Sequence, residues 1–163
     1  MLKQMKVIVA LSVILASLLT ACAAATSAPP TATTAATVAP ADIARPSNPG
    51  GSGPALNLTG DPQAGSQVFV TNCKKCHGDE GTGGVANPGS TDETIPPLNP
   101  IDETLVNKDS KVFAYNLDLF LEHGSTPEGD NPKEKMPAWG DEGKLTPQQI
   151  ADVIAYVMSL NKP

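Results

Sequence analysis

The chain concentrates its chemistry in five residues, Cys73-Lys74-Lys75-Cys76-His77. Two thiols separated by two residues are followed at once by an imidazole, a pattern that reads as a c-type haem attachment site. The thiols add across the two haem vinyl groups to give thioethers, and the histidine is placed to put a ring nitrogen on the iron. Three other readings compete. A structural zinc site needs four ligands, and the remaining candidates are Cys22, inside an apolar N-terminal segment, and His123, which leaves zinc one ligand short. A thioredoxin-like pair needs a strand before it inside a βαβ unit, whereas the preceding segment reads as a helix. A chance match predicts no supporting features elsewhere, and several exist.

Those features are helices on either side. Gly60-Asp61-Pro62-Gln63 opens a helix, with Asp61 able to cap and Pro62 suited to the first helical position. Thr146-Pro147-Gln148-Gln149 reads as a capping box, and Ile150, Val153, Ile154 and Val157 then form one apolar stripe at helical spacing. Between them Lys111 to His123 reads as a third helix, with Val112, Phe113, Leu117, Phe120 and Leu121 inward and Gly124 as its stop. No strand and no internal repeat stands out. The aromatic complement is small, three Phe, two Tyr and one Trp, and a buried apolar cofactor would supply part of the missing core.

A helix, C-x-x-C-H, a long loop, a middle helix, a Met-Pro loop and an amphipathic last helix together resemble class I cytochromes c. The likeness covers residues 60–163 and is closest to the small domains attached to bacterial oxidases and quinol-oxidising complexes. It implies an all-α fold, three to five helices around one covalent haem c. It implies that Met136, in Lys135-Met136-Pro137-Ala138-Trp139-Gly140, is the second axial ligand, a soft thioether that favours ferrous iron. Met158, inside the last helix, fits a core role instead. His123 is the rival ligand, and a five-coordinate iron is the remaining alternative. By the same resemblance the Pro97 carbonyl accepts a hydrogen bond from His77, Leu98 packs on the haem, and the Trp139 indole lies near a propionate. Gly65, Phe69 and Tyr156 match positions where the terminal helices cross. The Gly- and Asp-rich stretch 78–94 has no assignment.

At the other end, Lys3 and Lys6 precede an apolar run from Val7 to Leu19, too short for a membrane span of roughly 20 residues and fitting an export signal. Leu19-Thr20-Ala21-Cys22 resembles the lipobox of bacterial lipoproteins, which implies cleavage before Cys22 and acylation of that residue. A plain cleaved signal and an uncleaved anchor helix are the alternatives. All three put the domain outside the cytoplasm. Residues 22–59, rich in Ala, Thr, Pro and Gly, read as a flexible tether with a mean span of roughly 30–35 Å. Cysteine parity agrees: lipid on Cys22 and haem on Cys73 and Cys76 leave no thiol over.

From residue 60 onward there are eight Lys against sixteen Asp or Glu, a formal charge of −8. That balance argues against nucleic acid and anionic membrane surfaces. The expected function is single-electron transfer in a respiratory or photosynthetic chain. The chain would act as a tethered carrier or as a haem subunit of a membrane complex, such as alternative complex III or a terminal oxidase. Its partners would be redox proteins, among them a quinol-oxidising complex, an oxidase or a reaction centre, with no small-molecule substrate and no catalysis of its own. The alternative is an open-site haem protein, a peroxidase-like enzyme or gas sensor.

Overall fold

A computed structural model describes residues 50–162. The expected export signal, Cys22 and the first part of the expected tether lie outside the described residues. Within them the architecture is all-α, with four α-helices and only isolated β-bridges. Helix α1 spans Pro62–Asn72, α2 is the single turn Lys74–His77, α3 spans Ser110–His123 and α4 spans Pro147–Leu160. The helix ends follow their local chemistry. The Asp61 carboxylate accepts from the amides of Gln63 and Ala64 at the start of α1, Asp109 caps α3, and Thr146 with Gln149 forms a full capping box on α4.

The α4 stripe is fully inside: Ile150, Val153, Ile154 and Val157 are each at most 4% exposed. Burying such aliphatic side chains contributes about 1.5–3 kcal/mol apiece. They pack with Phe113, Leu117 and Leu121 of α3 and with Leu145 and Ile101 from the loops. The inner face of α3 is wider than its apolar residues suggested. Asn116, Asp118 and Leu119 are buried, while Val112 and Phe120 are half-buried. The Asn116 amide is drawn inward because it donates to the Leu105 carbonyl at 2.8 Å.

The expected tether runs to residue 59, but Gly50–Thr59 packs on the domain. A 3₁₀ turn over Pro54–Asn57 buries Ala55 against the core. The Gly53 amide donates to Asp118 Oδ2 at 2.7 Å, and Gln148 Nε2 donates to the Thr59 carbonyl at 3.0 Å. Composition alone missed this because the partners are distant in sequence and the contacts are made by backbone groups.

Helices α1 and α4 cross tightly. A Cβ at Gly65 would overlap the Asp152 carbonyl, and one at Gly60 would overlap that of Ala151. Just beyond the crossing the rings of Phe69 and Tyr156 meet, centroids 5.3 Å apart and tilted by 54°. Asp152 reinforces the contact, its Oδ1 accepting from the Asp61 amide at 2.8 Å and from Gln148 Nε2 at 2.9 Å. Gly65→Ala is therefore expected to lower the unfolding free energy of the holoprotein by about 2 kcal/mol, since the Asp152 backbone and the Tyr156 Cβ have little room to give way. Gly51→Ala, where a Cβ meets nothing within 4 Å, should stay within about 0.5 kcal/mol of wild type in the same urea titration.

Candidate functional site

Helix α1 delivers the attachment pentapeptide directly. The Cys73 amide closes the end of α1 on the Phe69 carbonyl at 2.8 Å, and the Cys73 carbonyl accepts from the amides of Cys76 and His77 at 3.0 and 2.9 Å. Cys73 is thus shared between α1 and the turn of α2, so both sulfurs and the imidazole stand on a frame continuous with the helix crossing. Both thiols are free, Cys73 buried and Cys76 half-buried. Burial, with the neighbouring Cys76, pushes the Cys73 thiol up to about 11.

His77 is half-buried, and desolvation lowers its pKa, partly offset by its bond to a backbone carbonyl. The neutral imidazole favoured at pH 7 is the form that binds a metal. Nδ1 lies 3.4 Å from the Pro96 carbonyl oxygen. With the Nδ1 proton donated there, Nε2 keeps its lone pair for iron. The carbonyl is that of Pro96 and not of the expected Pro97. The register is set by Gly81, whose carbonyl accepts from both the Leu98 and Asn99 amides at 2.7 and 3.0 Å. Leu98 is half-buried and packs against the core. Its carbonyl accepts from Asn161 Nδ2 at 2.7 Å, while Asn161 Oδ1 accepts from the Ile101 amide at 2.9 Å. The residue that caps the C-terminus of α4 therefore fixes the loop on the His77 side.

Met136 is held at the end of α3. Its amide donates to the Ser125 carbonyl at 2.9 Å, and its carbonyl accepts from the Ser125 amide at 3.1 Å. Gly124 ends α3 with φ +69°, and a side chain there would run into the Met136 carbonyl, so both conformation and space demand glycine. The Met136 side chain is half-buried against the core. Trp139 is half-buried as well, with the Lys144 ammonium 6.0 Å from its ring centre. Its carbonyl accepts from the Lys144 and Leu145 amides, which closes the turn leading into α4.

The stretch 78–94, which the sequence left unassigned, builds the wall behind the Met136 loop. The Thr91 amide donates to the Glu128 carbonyl at 2.8 Å, and the Lys133 amide to the Pro88 carbonyl at 3.1 Å. Asn87, 1% exposed, bonds through both side-chain atoms to Glu134. The loop groups that Asn87 and Asn161 hold carried no local signal, because they lie 47 and at least 60 residues away.

His123, the competing imidazole, is engaged elsewhere. Nδ1 is 2.8 Å from Asp141 Oδ2 and Nε2 is 2.7 Å from the Gly51 carbonyl oxygen. Both neighbours accept, so both nitrogens donate and the ring is satisfied as imidazolium. It is neither solvent-facing, with 12% of its side chain exposed, nor left with a lone pair for iron.

The donor set fits a covalent haem: two free thiols in one turn, a neutral imidazole with one nitrogen committed to a carbonyl, and a thioether fixed on a separate loop. Comparison with known proteins agrees. The cytochrome c family model matches residues 62–161. The cbb3-type cytochrome c oxidase subunit FixP of Sinorhizobium medicae is 33% identical over 101 residues, 61% of this chain and 30% of that protein. Subunit CcoP of Cereibacter sphaeroides is 30% identical over 100 residues, 60% of this chain and 30% of that protein. Cytochrome c6 of Bryopsis maxima is 33% identical over 98 residues, 60% of this chain and 90% of that protein. The chain thus spans about a third of the oxidase subunits and most of the cytochrome c6. No solved structure matches.

The His123 contacts make a pH-dependent contribution to stability. Burial alone would lower its pKa, but the Asp141 carboxylate and the Gly51 carbonyl outweigh it and raise the value. A raised folded value means stability that is fully present below the unfolded pKa of about 6.5 and is lost as pH rises through the folded one. Wild type should therefore exceed His123→Gln in urea midpoint at about pH 5.5, with the gap shrinking by about pH 8.5.

Proposed function

Since this chain belongs to the cytochrome c family, we propose that it is a lipid-tethered, single-haem electron carrier with His77 and Met136 as axial ligands, serving a membrane redox complex. Bound through Cys73 and Cys76, the haem supplies one-electron redox chemistry. The chain's own part is to hold the ligands, exclude water and present a docking surface. His77, kept neutral by burial and oriented by the Pro96 carbonyl, supplies one ligand; Met136, paired to Ser125, supplies the other. Filling both positions leaves no room for a substrate, so the chain is a carrier and not an enzyme by itself.

The observation that carries this reading is the contrast between the two histidines. His77 has one ring nitrogen to give, whereas His123 has none, and this leaves the Met136 thioether as the second donor. The likeness to cbb3-type oxidase subunits supports an oxidase as the electron acceptor. The N-terminal pattern ending at Cys22 supports a lipid anchor on the outer face of a bacterial membrane, because several acyl chains hold where one does not.

An optical spectrum of the ferric protein tests the ligand set. It should contain the weak long-wavelength band of a thioether on ferric iron, lost in Met136→Ala and kept in Met158→Ala. Absence of that band, with ready carbon monoxide binding to the ferrous protein, would move the open-site enzyme or sensor to first place. For the anchor, Cys22→Ser should shift the protein from the detergent phase to the aqueous phase on partitioning of cell membranes. Retention in detergent would point to an uncleaved helix.

A further inference from the structure

Asn87 is among the most buried residues of the described chain, and both of its side-chain polar atoms are used on one distant residue. Nδ2 donates to the Glu134 carbonyl at 3.0 Å, and Oδ1 accepts from the Glu134 amide at 2.8 Å. A primary amide offers a donor and an acceptor side by side, which is what the N–H and C=O of one extended residue require. The side chain thus takes the place of a neighbouring strand.

Asn87 is itself anchored. Its amide donates to the Glu93 carbonyl at 2.7 Å, and its carbonyl accepts from the Ser90 amide at 3.2 Å and from Ser90 Oγ at 2.8 Å. Ser90 is buried too. On the other side of the contact, Glu134 stands two residues before Met136, and Met136 is paired to Ser125. The arm that carries the thioether is therefore gripped at both ends, by the Asn87 amide at Glu134 and by Ser125 at Met136 itself. Lys135 between them is exposed and adds no burial of its own.

We propose that Asn87 is the positioning residue for Met136: through Glu134 it holds the loop in the arrangement that keeps the thioether on the haem iron. The proposal rests on Met136 being the axial ligand. Glu134 is exposed, so once the buried Asn87 amide is truncated its N–H and C=O turn to water instead. The loop then loses the clamp that fixes its place, and Met136 moves with it.

The test is a pH titration of the ferric, full-length holoprotein, following the thioether–iron band until it is lost at alkaline pH. Wild type is compared with Asn87→Ala, Asn87→Asp, Met136→Ala and, as a purely structural control, Thr146→Ala, which removes the α4 cap. Asn87→Ala should displace the methionine roughly tenfold more readily, which places the loss about one pH unit lower. Asn87→Asp keeps the shape but, once ionised, turns a second acceptor toward the Glu134 carbonyl, and its loss should come at least as early. Thr146→Ala should unfold at lower urea yet lose the band at the wild-type pH. If Asn87→Ala matches wild type, or Thr146→Ala moves the midpoint as far, the inference is wrong. Should Asn87→Ala fail to assemble, Asn87→Asp decides in the same way. A wild-type protein without the band, or a Met136→Ala protein that keeps it, identifies the ligand assignment as the failure and takes the inference down with it.

Discussion

Gly65 sits where α1 crosses α4, and the missing side chain sets how close the two backbones come. Everything at the haem attachment site inherits its position from that contact. The Asp152 carboxylate, buried and shared by the Asp61 amide and Gln148, fixes one end of α1. The Phe69–Tyr156 ring contact fixes the other, four residues before Cys73. Because Cys73 closes α1 and opens the next turn, the crossing dictates where the two sulfurs and the imidazole stand. A chain poor in aromatic residues gains a rigid frame in this way from one glycine and one acid.

The loop beside His77 and the loop that carries Met136 are fixed by a different kind of force. Side-chain amides hold them by their backbones: half-buried Asn161 on Leu98 and Ile101, buried Asn87 on Glu134. Net hydrogen-bond energies are modest, about 1 kcal/mol each, but the cost of leaving such groups unpaired is larger. A polar clamp of this type specifies one loop arrangement more sharply than hydrophobic packing would, since few alternatives satisfy all its donors and acceptors. That suits an electron carrier, whose iron must keep the same ligands in both oxidation states.

A third feature couples the chain before the domain to the domain itself. The Gly51 carbonyl and the Gly53 amide meet His123 and Asp118 of α3, and Asp118 Oδ1 is left buried with no hydrogen-bond partner among the described residues. Burial raises the pKa of Asp118, and the Gly53 amide works against that shift. The last part of the expected tether is therefore seated on charged groups, and its grip depends on their protonation.

Local chemistry was written plainly in the sequence. The C-x-x-C-H pentapeptide announced covalent haem because its elements are adjacent, and Asp61, Pro62, Thr146, Gln149 and Gly124 marked helix ends because capping is a matter of a few residues. The α4 stripe was equally legible, since helical periodicity maps one face onto the core. What only the tertiary structure decided are contacts between residues far apart: Pro96 and not Pro97 beside His77, both nitrogens of His123 committed, Gly50–Thr59 packed on the domain, and the 78–94 stretch serving as the wall behind Met136. No periodicity or composition reports these, because each depends on which groups folding brings face to face from well beyond one helical turn.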